Sequence, residues 1–478
     1  MYRKFLINSK KAFAIYAYIV FEFICIIVLN SINQINDFKQ WVFSAAILIV
    51  IDFVVFLFVS KRFNVRFLSL PFLFITFSYL FNFGQVILYG LVRPNYDWIC
   101  YITMYPASTY KPAILLCYVI NFSVIIGMMI SRINYQRPVI VITNNKEDKK
   151  TCRLLAIFFM CICFPLEAVL DISKIFMLLV GGYDATYTIV GYDGISTIAS
   201  FYFIGFVLLL YTCKDKNRFK VYVFELLFLA VIMLSGDRAK PAVNICVLSY
   251  FYLLLRSGKK IKKSTIAFIA VLAYLGMILL ATISNFRGKS IIDIQAISDS
   301  LGLVMQKKTP INAFLYEFGS SVYTSIATYD YTIMSGKYAH GYTFLLSWVY
   351  ALPNVGGLVN QITSNLNYCN IILDYGLRSQ FLQIGGAYTG EMIYNFHYLF
   401  PLFSVLLGIF ISNIDKKIEK HLSNNNFIGV IYYIMAFTGI VFYVRGVFFT
   451  FIRQWAWSVA LIYIITELIK GKNILNKS

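Results

Sequence analysis

"LLFLAVIMLSGDRAKPAVNICVLSYFYLLL", Leu226–Leu255, is the stretch whose reading decides the fold. Two apolar runs flank a short polar segment in which Asp237, Arg238 and Lys240 fall within four positions. A bilayer core of ~30 Å is crossed by about 20 apolar residues rising 1.5 Å each, and the windows to which the two runs belong, 218–235 and 240–256, approach that length. Lipid offers no partner to a backbone N–H or C=O, so a chain that crosses it does so as helix. The stretch therefore predicts a helical hairpin with a very tight turn. Gly236 makes the turn, Pro241 starts the second helix, and Arg238 is presented at the membrane surface.

The rest of the chain repeats this pattern. Of its 478 residues 59% are hydrophobic and only 13% charged, with a mean hydropathy of +0.72, which leaves too little polar surface for a soluble globule. Twelve windows qualify as spans: 12–31, 41–60, 67–91, 113–131, 152–171, 195–213, 218–235, 240–256, 264–283, 394–413, 426–444 and 448–468. The expectation is an all-α, polytopic integral membrane protein of about 12 transmembrane helices, forming one polytopic domain over residues 1–478. The first run follows Lys10 and Lys11 without a small-residue cleavage site, so it reads as a span and not as a secretory signal.

A net charge of +20 would suggest nucleic acid in a soluble protein. Placed on the predicted topology, however, roughly two thirds of the 42 Lys and Arg fall in the short loops of the side that carries the N-terminus. This asymmetry predicts an N-in, C-in orientation and accounts for the charge, and nucleic acid is not an expected partner. Topology does not account for the outer cations. Lys39, Arg93, Lys111 and Lys174 are scattered, and the others, Arg238, Lys240, Arg287, Lys289, Lys307, Lys308, Lys337, Arg378, Arg445 and Arg453, gather in the second half of the chain, which points to a cation-lined outer site.

One outer loop, residues 284–393 between the ninth and tenth windows, is far longer than the others. Its apolar segments "INAFLYEFGSSVYTSIATYDYTIM" (311–334) and "GYTFLLSWVYALP" (341–353) are too short or too polar to cross. They predict interfacial or re-entrant helices that fold back onto the bundle.

Guanidinium groups hold phosphate oxygens bidentately and keep their charge, so Arg238, Arg287, Arg378, Arg445 and Arg453 are the candidate ligands for a lipid diphosphate. Arg453 is the sharpest case, since "FFTFIRQWAW" seats a charge in an apolar run. "GGAYTGEMIYNFHYLFP" (385–401) supplies Glu391, and "KYAHGYTF" supplies His340; either is a candidate base for a sugar hydroxyl. Asn395 and His397 are candidate sugar ligands beside them. The intramembrane acids Glu22, Asp52, Glu167 and Glu225 have no evident basic partner and read as structural hydrogen-bonding groups. The nine Cys lie mostly in apolar runs and form no metal-ligand spacing with His, and no Walker A, HExxH or GxSxG motif occurs. No metal and no cofactor is expected.

Together, "SGDRAKPAVNICVLSYFYLLL", "GYTFLLSWVYALPNVGG" and "GGAYTGEMIYNFHYLFPLFSVLLGIF" resemble the Wzy family of O-antigen and capsule repeat-unit polymerases. The resemblance implies a glycosyltransferase on the outer face of the bacterial cytoplasmic membrane. Its donor and acceptor would both be undecaprenyl-diphosphate-linked oligosaccharides, with the bilayer as surroundings and a chain-length regulator as a candidate partner. It also implies that Arg238 matches the family's arginine after glycine, and that Glu391 and Asn395 match its acid and asparagine pair. An O-antigen ligase-like transferase, or a flippase for lipid-linked oligosaccharides, are the alternatives.

Overall fold

The computed structural model describes residues 2–94, 98–140, 146–185, 193–233, 239–256, 271, 274–278, 281–282, 294–306, 309–354, 357–363 and 385–475. All regular structure among them is helical. The first nine helices are α1 (Tyr2–Ile32), α2 (Phe38–Arg62), α3 (Leu70–Ile87), α4 (Ala107–Arg132), α5 (Lys146–Ala185), α6 (Asp193–Ala199), α7 (Tyr202–Thr212), α8 (Asp215–Met233) and α9 (Ala239–Leu255). Five short ones follow: α10 (Ile294–Gln306), α11 (Pro310–Gly319), α12 (Val322–Ser335), α13 (Tyr342–Tyr350) and α14 (Leu358–Thr363). The chain closes with α15 (Tyr388–Phe396), α16 (Phe400–Ser423), α17 (Phe427–Ile431), α18 (Ile434–Tyr443) and α19 (Phe448–Leu475).

Among the described residues eight helical stretches are long and apolar enough to cross a membrane, against the twelve windows read from sequence. The shortfall has physical causes. The 218–235 window becomes α8, which begins with Asp215, Lys216, Arg218 and Lys220 and carries Glu225. The 240–256 window becomes the 17-residue α9, and 426–444 divides into α17 and α18. Almost all of 264–283 lies outside the described residues, as does the Asp237–Arg238 turn.

The described residues form two compact units. The first comprises Met1–Arg137, Leu315–Lys416 and Tyr443–Phe451. Here α1 to α4 pack together, and Asp37 caps α2 by accepting the Gln40 N–H at 3.1 Å. Helix α12, from the long loop, folds back against α3, α4 and α15 and buries Val322, Ile326 and Ala327 there. A side chain at Gly127 would place its Cβ 2.0 Å from the Val405 carbonyl oxygen, and one at Gly408 would place it 2.1 Å from that of Val124. Helices α4 and α16 thus cross backbone to backbone at two glycines, as small-residue interfaces in membranes do. Gly127→Val or Gly408→Val should cut the amount of folded protein recovered from membranes several-fold, read by fluorescence-detected gel filtration; parental recovery of both variants would contradict the crossing.

The second unit comprises Pro138–Phe314, Lys417–Phe442 and Ile452–Ser478. Helix α7 is buried along nearly its whole length, and α5, α8 and α9 surround it. Tyr211 stacks on Phe427 at 3.9 Å, and the Tyr211 hydroxyl donates to Asp148 at 2.9 Å. Lys240 donates to Glu167 at 2.8 Å, so that acid does have a basic partner, 73 positions along the chain.

Candidate functional site

The polar centre of the first unit grows from the "GGAYTGEMIYNF" segment. Gly385 to Ala387 lie against the turn before α19, with Ala387 extended, and the Tyr388 N–H donates to the Val444 carbonyl at 3.4 Å. A Cβ on Gly386 would stand 2.4 Å from the Gly446 oxygen, so only glycine permits this approach. The approach brings Arg445 beside Gly385. Its Nε lies 3.9 Å from where a Gly385 Cβ would be, and its guanidinium carbon is 5.9 Å from the Phe81 ring centroid.

Glu391 follows on the first turn of α15 with only 1% of its surface exposed. Its Oε1 accepts from the Thr343 hydroxyl at 2.8 Å, and its Oε2 accepts from the Phe448 N–H at 3.0 Å. Phe448 is the first residue of α19, and that N–H is one a helix leaves without an internal partner. One carboxylate therefore holds the starts of two helices, α13 and α19, where negative charge also suits the helix dipoles. Asn395 completes the arrangement one turn later. Its amide donates to Thr343 Oγ1 at 2.8 Å and to the Glu391 carbonyl at 2.7 Å, and it accepts from the Thr343 N–H at 3.3 Å. Its polar atoms thus face inward, toward Thr343 and its own helix.

The histidines lie at the edge of this centre. The Ala339 N–H donates to the Tyr394 carbonyl at 2.9 Å and the Gly341 N–H to the Asn395 carbonyl at 3.1 Å, which sets His340 alongside α15. His340 is exposed; His397, half-buried in the break between α15 and α16, meets the Tyr338 ring at 4.1 Å. Both occupy positive φ, +46° and +44°, an uncommon conformation for a residue with a side chain.

Beneath the centre, a hydroxyl and amide network joins α3, α4, α12 and α15. Ser325 and Thr389 hydroxyls meet at 2.7 Å, and Thr389 donates to Asn82 at 2.9 Å. Ser78, Asn121 and the Tyr388 hydroxyl form a second, tightly bonded set. Thr324 donates to the Gly385 carbonyl at 2.8 Å and so reaches the segment before α15 directly.

The structure thus gathers Glu391, Asn395, His340, His397 and Arg445 into one unit. Arg453 belongs to the second unit, with its guanidinium 5.3 Å from the Trp457 ring. Arg238, Arg287 and Arg378 lie outside the described residues. Thr343 was not legible as a site residue. It sits in a stretch read as an apolar interfacial helix, and its three polar contacts reach about fifty positions along the chain.

A bundle of apolar helices around a buried centre of Glu, Asn, Thr and Tyr, with an arginine held at its edge, defines an integral membrane protein with an internal polar site. Its sequence places it further. The model of the O-antigen polysaccharide polymerase Wzy family matches residues 13–475, nearly the whole chain, and the protein belongs to that family of polymerases in polysaccharide biosynthesis. No curated protein and no solved structure matches.

Proposed function

We propose that this protein joins undecaprenyl-diphosphate-linked oligosaccharide repeat units into polysaccharide on the outer face of the cytoplasmic membrane. The supporting observation is Arg445, which lies beside Gly385 in the turn that leads into α19, the helix whose first N–H binds Glu391. In this reading Arg445 pairs with the phosphates of the donor, and Arg238, Arg287, Arg378 and Arg453 are the further candidates from the cation-rich second half. As the glycosidic bond breaks, charge grows on the diphosphate, and a guanidinium already in place stabilises that state more than the bound donor. The lipid diphosphate leaves without a nucleotide, and the acceptor hydroxyl must lose its proton.

His340 takes that proton in our reading, because it is exposed and its backbone is tied to the segment carrying Asn395. Glu391 acts as a positioning residue, since both of its oxygens already accept hydrogen bonds that fix the starts of α13 and α19. The sugar rings would pass His397 and the aromatic residues near it.

The test starts from a strain deleted for the gene and complemented with variants, with surface polysaccharide resolved on a gel. Loss of the ladder with a single-repeat band retained supports a polymerase. Loss of all capped material supports a ligase, and lipid-linked units trapped on the cytoplasmic face support a flippase. For the roles, Glu391→Gln keeps one acceptor for Thr343 and should retain a measurable fraction of polymer, whereas Glu391→Ala should lose it. His340→Gln should cut the in vitro rate on the order of 10²-fold, because the acceptor hydroxyl then loses its positioned base. A parental rate in His340→Gln, or no rescue by Gln at position 391, would overturn these assignments.

A further inference from the structure

We propose that Glu22 and Asp52 share one proton at the middle of their helices and form a buried, proton-loaded carboxyl pair. This reading stands apart from the polymerase chemistry. Glu22 lies midway along the apolar stretch Ser9–Ile32 and Asp52 midway along Phe38–Arg62, and they are 0% and 1% exposed. Glu22 is the charged neighbour of Asp52. Tyr118 donates to Glu22 Oε2 at 2.6 Å, and Tyr79 donates to Asp52 Oδ2.

One oxygen of each carboxyl, Glu22 Oε1 and Asp52 Oδ1, has no hydrogen-bond partner, and the buried Tyr18 hydroxyl, one turn before Glu22, has none either. Each element packed on the pair contributes only neutral groups: Tyr18 and Cys25 from α1, Tyr79 from α3 and Tyr118 from α4. No described Lys or Arg forms an ion pair with either acid.

Two bare carboxylates here would repel each other in surroundings that solvate charge poorly, and their leftover oxygens would stay unsatisfied. One proton removes both difficulties. It halves the charge and supplies an O–H donor that the second carboxyl accepts. The aspartic acid and glutamic acid thus form a single proton-binding site enclosed by phenols, so its occupancy is a property of the pair and not of either residue.

A protonated carboxyl in an apolar surrounding reacts with dicyclohexylcarbodiimide. Its oxygen adds to the central carbon of the reagent, its proton moves to a nitrogen, and the O-acylisourea rearranges to a stable N-acylurea with nothing leaving. The full-length protein in membranes should therefore acquire an adduct on Glu22 or Asp52, mapped by mass spectrometry, and none on Asp415, which is ion-paired with Arg132. Infrared spectra should show a protonated-carboxyl band. Both signals should vanish in the Glu22→Gln, Asp52→Asn double variant and should not change when sodium is exchanged for choline. Where the double variant does not accumulate, each single variant should lose the adduct at its own position. Either signal, lost on substitution, supports the pair. Absence of both, persistence of both in the double variant, or suppression of labelling by sodium would overturn it, the last by identifying a metal cation as the ligand.

Discussion

Arg445→Ala is expected to remove the polysaccharide ladder while the protein remains in the membrane at its parental level. The residue sits in the turn between α18 and α19, half-buried, and its backbone is fixed by Gly386 and by the Tyr388–Val444 hydrogen bond. Loss of a preorganised donor to developing charge costs on the order of 10²–10³ in rate, about 2.7–4 kcal/mol. Arg445→Lys keeps the charge but loses the planar fork, so an intermediate rate is expected. The measurement is in vitro polymer formation from purified lipid-linked repeat units, normalised to folded protein. A rate within threefold of the parent for Arg445→Ala would remove this residue from the site.

The second large effect is on stability. At the other end of α4, Arg132 and Asp415 pair with both side chains 0% exposed. The Arg132 guanidinium also donates to Ser412 Oγ and to the Asn64 carbonyl, each at 3.0 Å. The amines of Lys11 and Lys416 bind carbonyls at the same helix end: Lys11 that of Arg132 at 3.0 Å, and Lys416 that of Ser131 at 2.8 Å. These cations satisfy carbonyls the helix leaves open and oppose the negative end of its dipole. Arg132→Ala strands a buried carboxylate and should cost about 3–5 kcal/mol, seen as a large drop in melting temperature and in recovered protein. Replacing both partners with apolar residues, Arg132→Met with Asp415→Leu, should recover much of that loss. A double variant no better than Arg132→Ala would show that the hydrogen bonds to Ser412 and Asn64 matter more than the pair.

The helical class and the membrane environment were legible because composition and run length report them directly. The segment 385–397 was legible as well, since its glycines, acid and asparagine lie within one short stretch and the structure keeps them together. Pairing across long sequence separations was not. Lys240 read as one of the cations of an outer face, yet it donates to Glu167. Asn395 read as a sugar ligand, yet its amide is turned to Thr343 and to its own helix. Long apolar runs also conceal breaks: the 394–413 window ends one helix at Phe396 and begins another at Phe400, with His397 at positive φ between them. Periodicity carries no sign of such a break, because the residues on both sides are equally apolar.

The grip of Glu391 on the Phe448 amide bears on the order of biosynthesis. The carboxylate and the helix start it caps are 57 positions apart. A nascent chain that has delivered α15 but not α19 to the membrane has its acid and its glycines but lacks the turn that carries Arg445. If the proposed assignment holds, the site is therefore silent until α19 arrives, and a chain halted before α19 would hold no polymerising centre.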